Sequence, residues 1–143
     1  METKVAVITG ASSGIGLATA LKLVNKGYTV YNLSRRNFVH DRIRHVTCDV
    51  SSALSVNNAM AQVIKQCGKI SLLVTSAGFG VAGAVEFISD EDAKKQMDVN
   101  YFGTVNAVKA VIPYMRNYKS GKIICISSVA AAIPIPFQTY YSV

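Results

Sequence analysis

Short apolar runs alternate along the chain with longer segments whose apolar residues recur at helical spacing. Five runs predict strands: 5–8, 28–33, 43–48, 70–75 and 122–126. The first run, Val5 to Ile8, is continuously apolar, which is typical of a strand buried on both faces of a parallel sheet. Arg44 and His45 in the third run suit a strand at the edge of that sheet.

Three segments between the strands have helical periodicity. In the first, 14–26, Leu17, Leu21 and Val24 share a face, and Gly27 follows as a stop signal. The second, 52–67, has Ser52 as a candidate N-cap and a buried stripe of Val56, Met60 and Val63. The third, 90–118, is predicted as one long helix that Pro113 kinks or loosens. Its predicted apolar side consists of Phe102, Val105, Val108, Ile112 and Met115.

The alternating order of strands and helices predicts an α/β fold with a doubly wound parallel sheet of strand order 3-2-1-4-5. The sequence has no internal repeat or linker, so residues 1–143 are expected to form a single domain. Residues 130–143 read as a loop and the start of a further helix. Ile123, Ile124 and Ile126 would then be poorly covered at a sheet edge. We therefore expect a fragment in which the C-terminal part of the fold is absent.

Composition restricts the classes of protein further. Half of the residues are apolar and 16% are charged, which is typical of a globular protein. No apolar run approaches the roughly 20 residues that cross a bilayer, and the N-terminus does not resemble a secretory signal. We expect a cytoplasmic protein with no membrane partner. Cys48, Cys67 and Cys125 form no CxxC pair, so they are expected to be small buried hydrophobes and no metal site is predicted.

The net charge of +7 raises the possibility of nucleic-acid binding. The local basic cluster consists of Arg35, Arg36, Arg42 and Arg44. No helix-turn-helix, zinc or RNA-recognition signature accompanies it. A small phosphorylated ligand explains the cluster better, and we expect no nucleic-acid partner.

A glycine-rich turn, Thr9-Gly10-Ala11-Ser12-Ser13-Gly14-Ile15-Gly16, joins the first strand to the first helix. Gly10 allows a tight turn, Gly14 lets the backbone approach a pyrophosphate, and Gly16 lets the helix pack on the sheet. The helix N-terminus offers free N–H groups to the anion. The spacing is GxxxGxG rather than GxGxxG, and a merely tight strand-to-helix turn is the alternative.

The second strand ends in Ser34-Arg35-Arg36. An NAD site of this kind has a carboxylate there, which accepts hydrogen bonds from the adenosine ribose. A carboxylate repels a 2′-phosphate, whereas arginine forks bind it through charge-assisted hydrogen bonds. The pair favours NADP over NAD, the alternative being two solvated surface arginines.

Several further motifs follow in order: Cys48-Asp49-Val50, Ser76-Ala77-Gly78, Asn100, and Ile126-Ser127-Ser128 with a tyrosine after it. Together with the glycine turn, they resemble the short-chain dehydrogenase/reductase family, whose Rossmann fold transfers a hydride between a nicotinamide cofactor and an alcohol or ketone. The resemblance covers essentially the whole chain.

The resemblance implies a role for each matched residue. Ser12, Ser13 and Ile15 would contact the cofactor phosphates and ribose, Asp49 and Val50 the adenine, and Ala77 and Gly78 the nicotinamide side. The implied catalytic residues are Ser128, which binds the substrate carbonyl, Asn100, which holds a water in a proton relay, and Tyr141, the acid/base. Tyr140 competes with Tyr141, but the family places the tyrosine 13 residues after the serine, which matches Tyr141.

Two departures qualify the resemblance. Ser76 stands where the family has asparagine. The family's lysine, four residues after the tyrosine, would fall at position 145, so residues 1–143 alone are expected to lack dehydrogenase activity. The alternatives are a non-catalytic nucleotide-binding module and a structural remnant that associates through its exposed edge. The substrate would be a small alcohol or ketone, and a homodimer or homotetramer is expected by resemblance.

Overall fold

The computed structural model describes residues 3–142 and contains one parallel sheet of five strands. The strands are β1 (Lys4–Thr9), β2 (Tyr28–Ser34), β3 (Ile43–Thr47), β4 (Leu72–Thr75) and β5 (Lys122–Cys125). They lie in the order β3-β2-β1-β4-β5, with every neighbouring pair parallel. The predicted α/β class and strand order are confirmed.

Four α-helices connect the strands: α1 (Gly14–Asn25), α2 (Ala53–Cys67), α3 (Asp90–Met97) and α4 (Gly103–Asn117). Ser52 caps α2 as expected, since its side chain accepts a hydrogen bond from the Ser55 N–H at 3.2 Å. Short 3-10 turns occur at Val85–Phe87, Val129–Ala131 and Thr139–Tyr141. None of the helices in the described part of the chain is long and apolar enough to span a membrane.

The sheet separates two apolar cores. On one face, α2 and α4 pack against each other and over Val5, Val7, Leu33 and Leu73. On the other face, α1 covers Ala6, Ile8, Val30 and Val74 through partly buried Leu17, Leu21 and Val24. These helices hold the C-terminal ends of the strands in fixed positions.

The long helix predicted over 90–118 is interrupted. A π-helical segment, Asp98–Phe102, separates α3 from α4, whereas α4 continues through Pro113. On the predicted apolar side, Met115 is buried, Val108 packs against the core as a partly buried residue, and Val105 and Ile112 are partly buried. Phe102 is 50% exposed, and the buried residues of α4 are Gly103, Ala107, Ala110, Val111 and Met115.

Close packing explains why small residues line this face. A Cβ on Gly103 would lie 2.7 Å from Val50 Cγ2, so only glycine allows this approach. The side-chain amide of Asn106, three residues later, donates to the Val50 carbonyl at 2.9 Å.

The outer edge of β5 is open to solvent within residues 3–142. Ile123, Ile124 and Ile126 are 37–47% exposed, in agreement with the sequence-based expectation. The cysteine prediction holds only for Cys48, because Cys67 is half-buried and Cys125 is exposed. Cys125 ends the edge strand, whose lack of cover leaves its side chain in solvent.

Candidate active site

A cleft of about 1040 Å³ lies where the strands end, across β1 and β4. Doubly wound sheets bind ligands at this position, beyond the carboxyl ends of the strands where the strand order reverses. All of the residues that sequence analysis assigned to a site line the cleft. They are Gly10, Ser12, Ser13, Gly14, Ile15, Gly16, Ser34, Arg35, Arg36, Asp49, Val50, Ser76, Ala77, Gly78, Asn100, Ser128 and Tyr141.

The glycine turn packs against its surroundings with no room for side chains at two positions. Gly10 has φ +72°, and a Cβ there would lie 2.8 Å from Ala77 Cα. A Cβ on Gly16 would lie 2.5 Å from the Gly10 carbonyl oxygen. At Gly14, by contrast, φ is +55° and no heavy atom of the described residues lies within 4 Å of such a Cβ. The turn is therefore tight beneath and open towards the cleft.

Asn32 supports the turn from within β2, and sequence analysis missed it. Its side-chain Oδ1 accepts from the Ala11 N–H at 2.9 Å, and its Nδ2 donates to Ser34 Oγ at 3.0 Å. The residue is fully buried. A lone amide inside an otherwise apolar strand was the available signal, because a buried polar side chain needs partners.

Thr9 performs the same task for the loop after β4. Its hydroxyl oxygen accepts from the N–H groups of Ser76 and Ala77 at 3.1 and 3.2 Å. The two loops that line the middle of the cleft are therefore tied to the end of β1. Sequence analysis did not assign Thr9 a role beyond the turn.

The basic end of the cleft lies beyond β2. Arg35 and Arg36 are exposed, and Arg36 Nη2 lies 3.5 Å from Ser13 Oγ in the glycine turn. On the next strand connection, Asp49 Oδ1 accepts from the Ser51 hydroxyl at 2.7 Å and from the Ser51 N–H at 3.0 Å. These hydrogen bonds, with a smaller contribution from the Arg35 charge, hold the pKa of Asp49 below its usual range.

Ser128 and two tyrosines lie at the opposite end. Ser128 begins the Val129–Ala131 turn, and its Oγ accepts from the Ala130 N–H at 3.2 Å. Tyr140 and Tyr141 both line the cleft, so their position in the cleft does not decide which of them is the acid/base. Tyr141 packs against Gly80, because a Cβ there would lie 3.6 Å from the tyrosine ring. Tyr140 also lines a smaller recess beside α3.

The side chain of Asn100 is engaged with the loop after β4. Its Nδ2 donates to the Phe79 carbonyl at 2.8 Å, and its Oδ1 accepts from the Phe79 N–H at 3.0 Å. The backbone carbonyl of Asn100 accepts from the Thr104 hydroxyl at 3.0 Å. Because both groups of the side-chain amide are used, this residue fixes the loop against the π-helical segment.

Several residues that line the cleft were not assigned a role from the sequence. Phe79 and Gly80 follow the Ser76-Ala77-Gly78 motif directly, which was the signal that could have found them. The others are Leu33, Cys48, Met97, Val99, Tyr101, Thr104, Val105, Cys125, Ile126, Ser127, Ala131 and Tyr140. Burial raises the pKa of the Cys48 thiol, which disfavours a thiolate nucleophile at that position.

The family of this chain can be assigned from a match along nearly the entire sequence. The sequence model described as short chain dehydrogenase matches residues 4–143. The chain belongs to the short-chain dehydrogenase family. Members of this family bind nicotinamide cofactors. The cleft of this chain lies at the carboxyl ends of the strands, which is the position where doubly wound sheets bind dinucleotides.

Individual relatives agree with this assignment. The 3-ketodihydrosphingosine reductase of Bacteroides thetaiotaomicron is 42% identical over 143 residues, which are 99% of this chain and 53% of the relative. The ligand-free aldohexose dehydrogenase of Thermoplasma acidophilum superposes with a TM-score of 0.95 at 36% identity, covering 99% of this chain and 55% of that structure. NADP-bound ElxO gives 0.91 at 26% identity, covering 98% of this chain and 61% of that structure. This chain thus spans about half the length of the first two relatives.

Proposed function

We propose that this chain forms the cofactor cleft of an NADP(H)-dependent oxidoreductase that transfers a hydride between the nicotinamide and an alcohol or ketone. One observation supports it most strongly. A single cleft joins a glycine turn and an arginine pair at one end to a serine, an asparagine and a tyrosine at the other. A site that only bound nucleotide would have no chemical need for the second group.

The residues present fit a dinucleotide. The open space over Gly14 admits a phosphate group, and the first N–H groups of α1 have no partners within the helix. The volume of about 1040 Å³ lies just above the range typical of ligand sites. Ser12, Ser13 and Ile15 would hold the phosphates and ribose, Asp49 and Val50 the adenine, and Ser76, Ala77 and Gly78 the nicotinamide side.

The arginine pair is the basis for proposing NADP rather than NAD. Arg35 and Arg36 are exposed at the end of β2, where they are accessible to a 2′-phosphate, and Ser34 stands beside them. The nearest assigned carboxylate, Asp49, is held by Ser51 on the following connection. A guanidinium fork binds a phosphate through paired hydrogen bonds that a 2′-hydroxyl cannot match.

At the other end of the cleft, the chain's own residues would manage a proton. The bound nicotinamide supplies or accepts the hydride. The Ser128 hydroxyl would hold the carbonyl oxygen of the substrate beside Tyr141, whose hydroxyl would donate or accept the proton. Asn100 would hold a water in the proton relay; its side chain is bonded to Phe79, and its backbone carbonyl accepts from the Thr104 hydroxyl.

The substrate class we propose is an apolar ketone or alcohol, of an aliphatic or steroid-like kind. Ile133 and Phe137 are 63% and 66% exposed on the segment between Ser128 and the tyrosines. The name of the Bacteroides relative, a 3-ketodihydrosphingosine reductase, describes reduction of a ketone and supports the same class.

We also propose a cytoplasmic homodimer or homotetramer, with no membrane or nucleic-acid partner.

A polypeptide limited to residues 1–143 is proposed to be inactive. A phenol titrates near ~10 in water, and in this family a lysine four residues after the tyrosine stabilises the phenolate. That position is 145. Incubating the 1–143 polypeptide with NADPH and a panel of ketones should give no loss of the NADPH absorbance, and clear turnover would contradict the proposal.

The test of the function itself compares two adjacent tyrosines in the naturally expressed protein. Tyr141→Phe should lower ketone reduction by about 10²–10⁴-fold while leaving NADPH binding intact, because only the proton donor is removed. Tyr140→Phe is the matched control and should retain most of the activity. Equal activity of Tyr141→Phe and wild type would contradict the role of Tyr141, whereas no ketone reduction by wild type would favour the non-catalytic nucleotide-binding module.

A further inference from the structure

The loop after β4 is held against the helix that follows it at alternate backbone positions. We call residues 79–83 the cleft loop. The N–H of Phe79 donates to Asn100 Oδ1 at 3.0 Å, and the N–H of Val81 donates to Gln96 Oε1 at 2.6 Å. The N–H of Gly83 donates to the Phe137 carbonyl at 2.8 Å. Three alternate amides of the loop therefore each have a defined partner.

The spacing of the two side-chain amides matches the spacing of the loop. Gln96 and Asn100 are four positions apart, which on a helix corresponds to one face and an advance of about 6 Å. Two residues of an extended chain cover about 6.6 Å. Successive odd-numbered N–H groups of the cleft loop can therefore meet successive amides of α3 and the π-helical segment.

Gln96 is an unusual residue for its surroundings. It is 1% exposed, and its Nε2 finds no hydrogen-bond partner among residues 3–142. A buried donor without a partner is destabilising, and a methionine of similar volume would fill the space without that cost. The glutamine amide accepts a hydrogen bond from the Val81 N–H through its Oε1, and a hydrophobic side chain could not do so.

The cleft loop in turn contacts the segment that contains the tyrosines. Gly80 packs against the Tyr141 ring, and Gly83 is bound to Phe137, four residues before Tyr141. Displacing Val81 would move Gly80 and loosen the link to Phe137. Gln96 itself lies outside the glycine turn and the arginine pair, and it does not line the cleft.

We propose that Gln96 is a positioning residue that fixes the cleft loop and, through Gly80 and Gly83, sets the place of Tyr141. This inference rests on the proposed function where it treats Tyr141 as the reacting acid. It predicts that Gln96 affects the chemical step and the order of two backbone segments, while leaving the affinity for NADPH unchanged.

The experiment uses Gln96→Met, which keeps the volume, and Gln96→Glu, which keeps an acceptor oxygen. In the naturally expressed protein, amides of residues 79–83 and 137–142 should exchange about tenfold faster with deuterium in Gln96→Met, since one hydrogen bond is lost. Its kcat for ketone reduction should fall roughly ten- to a hundredfold through misplacement of the acid, with KM for NADPH unchanged. Gln96→Glu should recover both properties, because burial holds the new carboxyl in its neutral form and one of its oxygens can still accept from the Val81 N–H.

The controls separate positioning from general damage. Gln62→Met, at an exposed position of α2, should match wild type in both measurements. If Gln96→Met does not fold, Val81→Pro removes the same bond from the loop side and should reproduce the expected losses. Wild-type exchange in both segments, a changed KM for NADPH with kcat intact, or failure of Gln96→Glu to recover would each overturn the proposal. Absence of any reductase activity in wild type would overturn the proposed function, while the exchange measurement would still decide whether Gln96 holds the loop.

Discussion

Asp49 shows how a single side chain can stabilise the cleft and report on pH. Its Oδ1 accepts two hydrogen bonds from Ser51, and these, with the smaller effect of Arg35, lower its pKa. A carboxyl with a depressed pKa in the folded state stabilises the fold above its unfolded pKa. That stabilisation is lost as the pH falls through the lower, folded value.

We therefore expect Asp49→Asn to be less stable than wild type at neutral pH. The difference should shrink as the pH falls below the usual range of an aspartate, because the wild-type carboxylate becomes protonated. Urea midpoints measured from neutral to acid pH give the comparison. Asp41→Asn, at an exposed position that does not line the cleft, is the matched control. A gap that stayed constant or widened in acid would contradict the assigned cause.

The candidate catalytic residues could be predicted from the sequence. Serine, asparagine and tyrosine at family spacing were enough to nominate Ser128, Asn100 and Tyr141, and all three line the cleft. The partners of Asn100 could not be predicted, because Phe79 lies 21 positions away and the contact depends on the folded path of the loop. The same holds for Gln96 and Val81, 15 positions apart.

At the scale of elements, the glycine turn and the strands are the features that local sequence determines best. Continuous apolar runs specify strands covered on both faces, and the turn follows β1 without an insertion. The helical region 90–118 was predicted less well. Periodicity favoured its larger side chains as the buried side, whereas Gly103, Ala107 and Ala110 are buried because the neighbouring helix and Val50 approach closely.

The turn also gives a prediction at this scale. Gly16→Ala should lower the free energy of unfolding by about 1–3 kcal/mol, because its Cβ meets the Gly10 carbonyl and the backbone must shift. NADPH binding should weaken with it, since the same shift moves the phosphate-binding amides. Thr19→Ala, within the same helix, is the control. Wild-type stability and wild-type affinity in Gly16→Ala would show that the turn tolerates the extra atom.

At the scale of the whole molecule, the edge of β5 is the feature of residues 3–142 with the clearest physical consequence. Ile123, Ile124 and Ile126 are partly exposed beside an edge strand, an arrangement that favours association between chains. A polypeptide of residues 1–143 should therefore self-associate at concentrations on the order of 10 µM, within the range where exposed strand edges aggregate.

Sedimentation velocity can test the location of that association. Ile124→Lys should shift the 1–143 polypeptide towards monomer, because charged side chains at an edge oppose strand pairing. Val39→Lys is the matched control, since Val39 is an apolar residue 89% exposed elsewhere on the surface. If both substitutions had the same effect, general charge rather than the β5 edge would be responsible.

The central claim is that the cleft binds NADP(H) through the glycine turn and the arginine pair. Calorimetric titration of the naturally expressed protein with NADPH and with NADH tests it most directly. NADPH should bind at least about tenfold more tightly, since the 2′-phosphate gains charge-assisted hydrogen bonds that the 2′-hydroxyl lacks. Arg35→Asp should remove that preference, whereas Arg42→Ala, outside the cleft, should keep it. Equal or tighter binding of NADH by wild type would contradict the account.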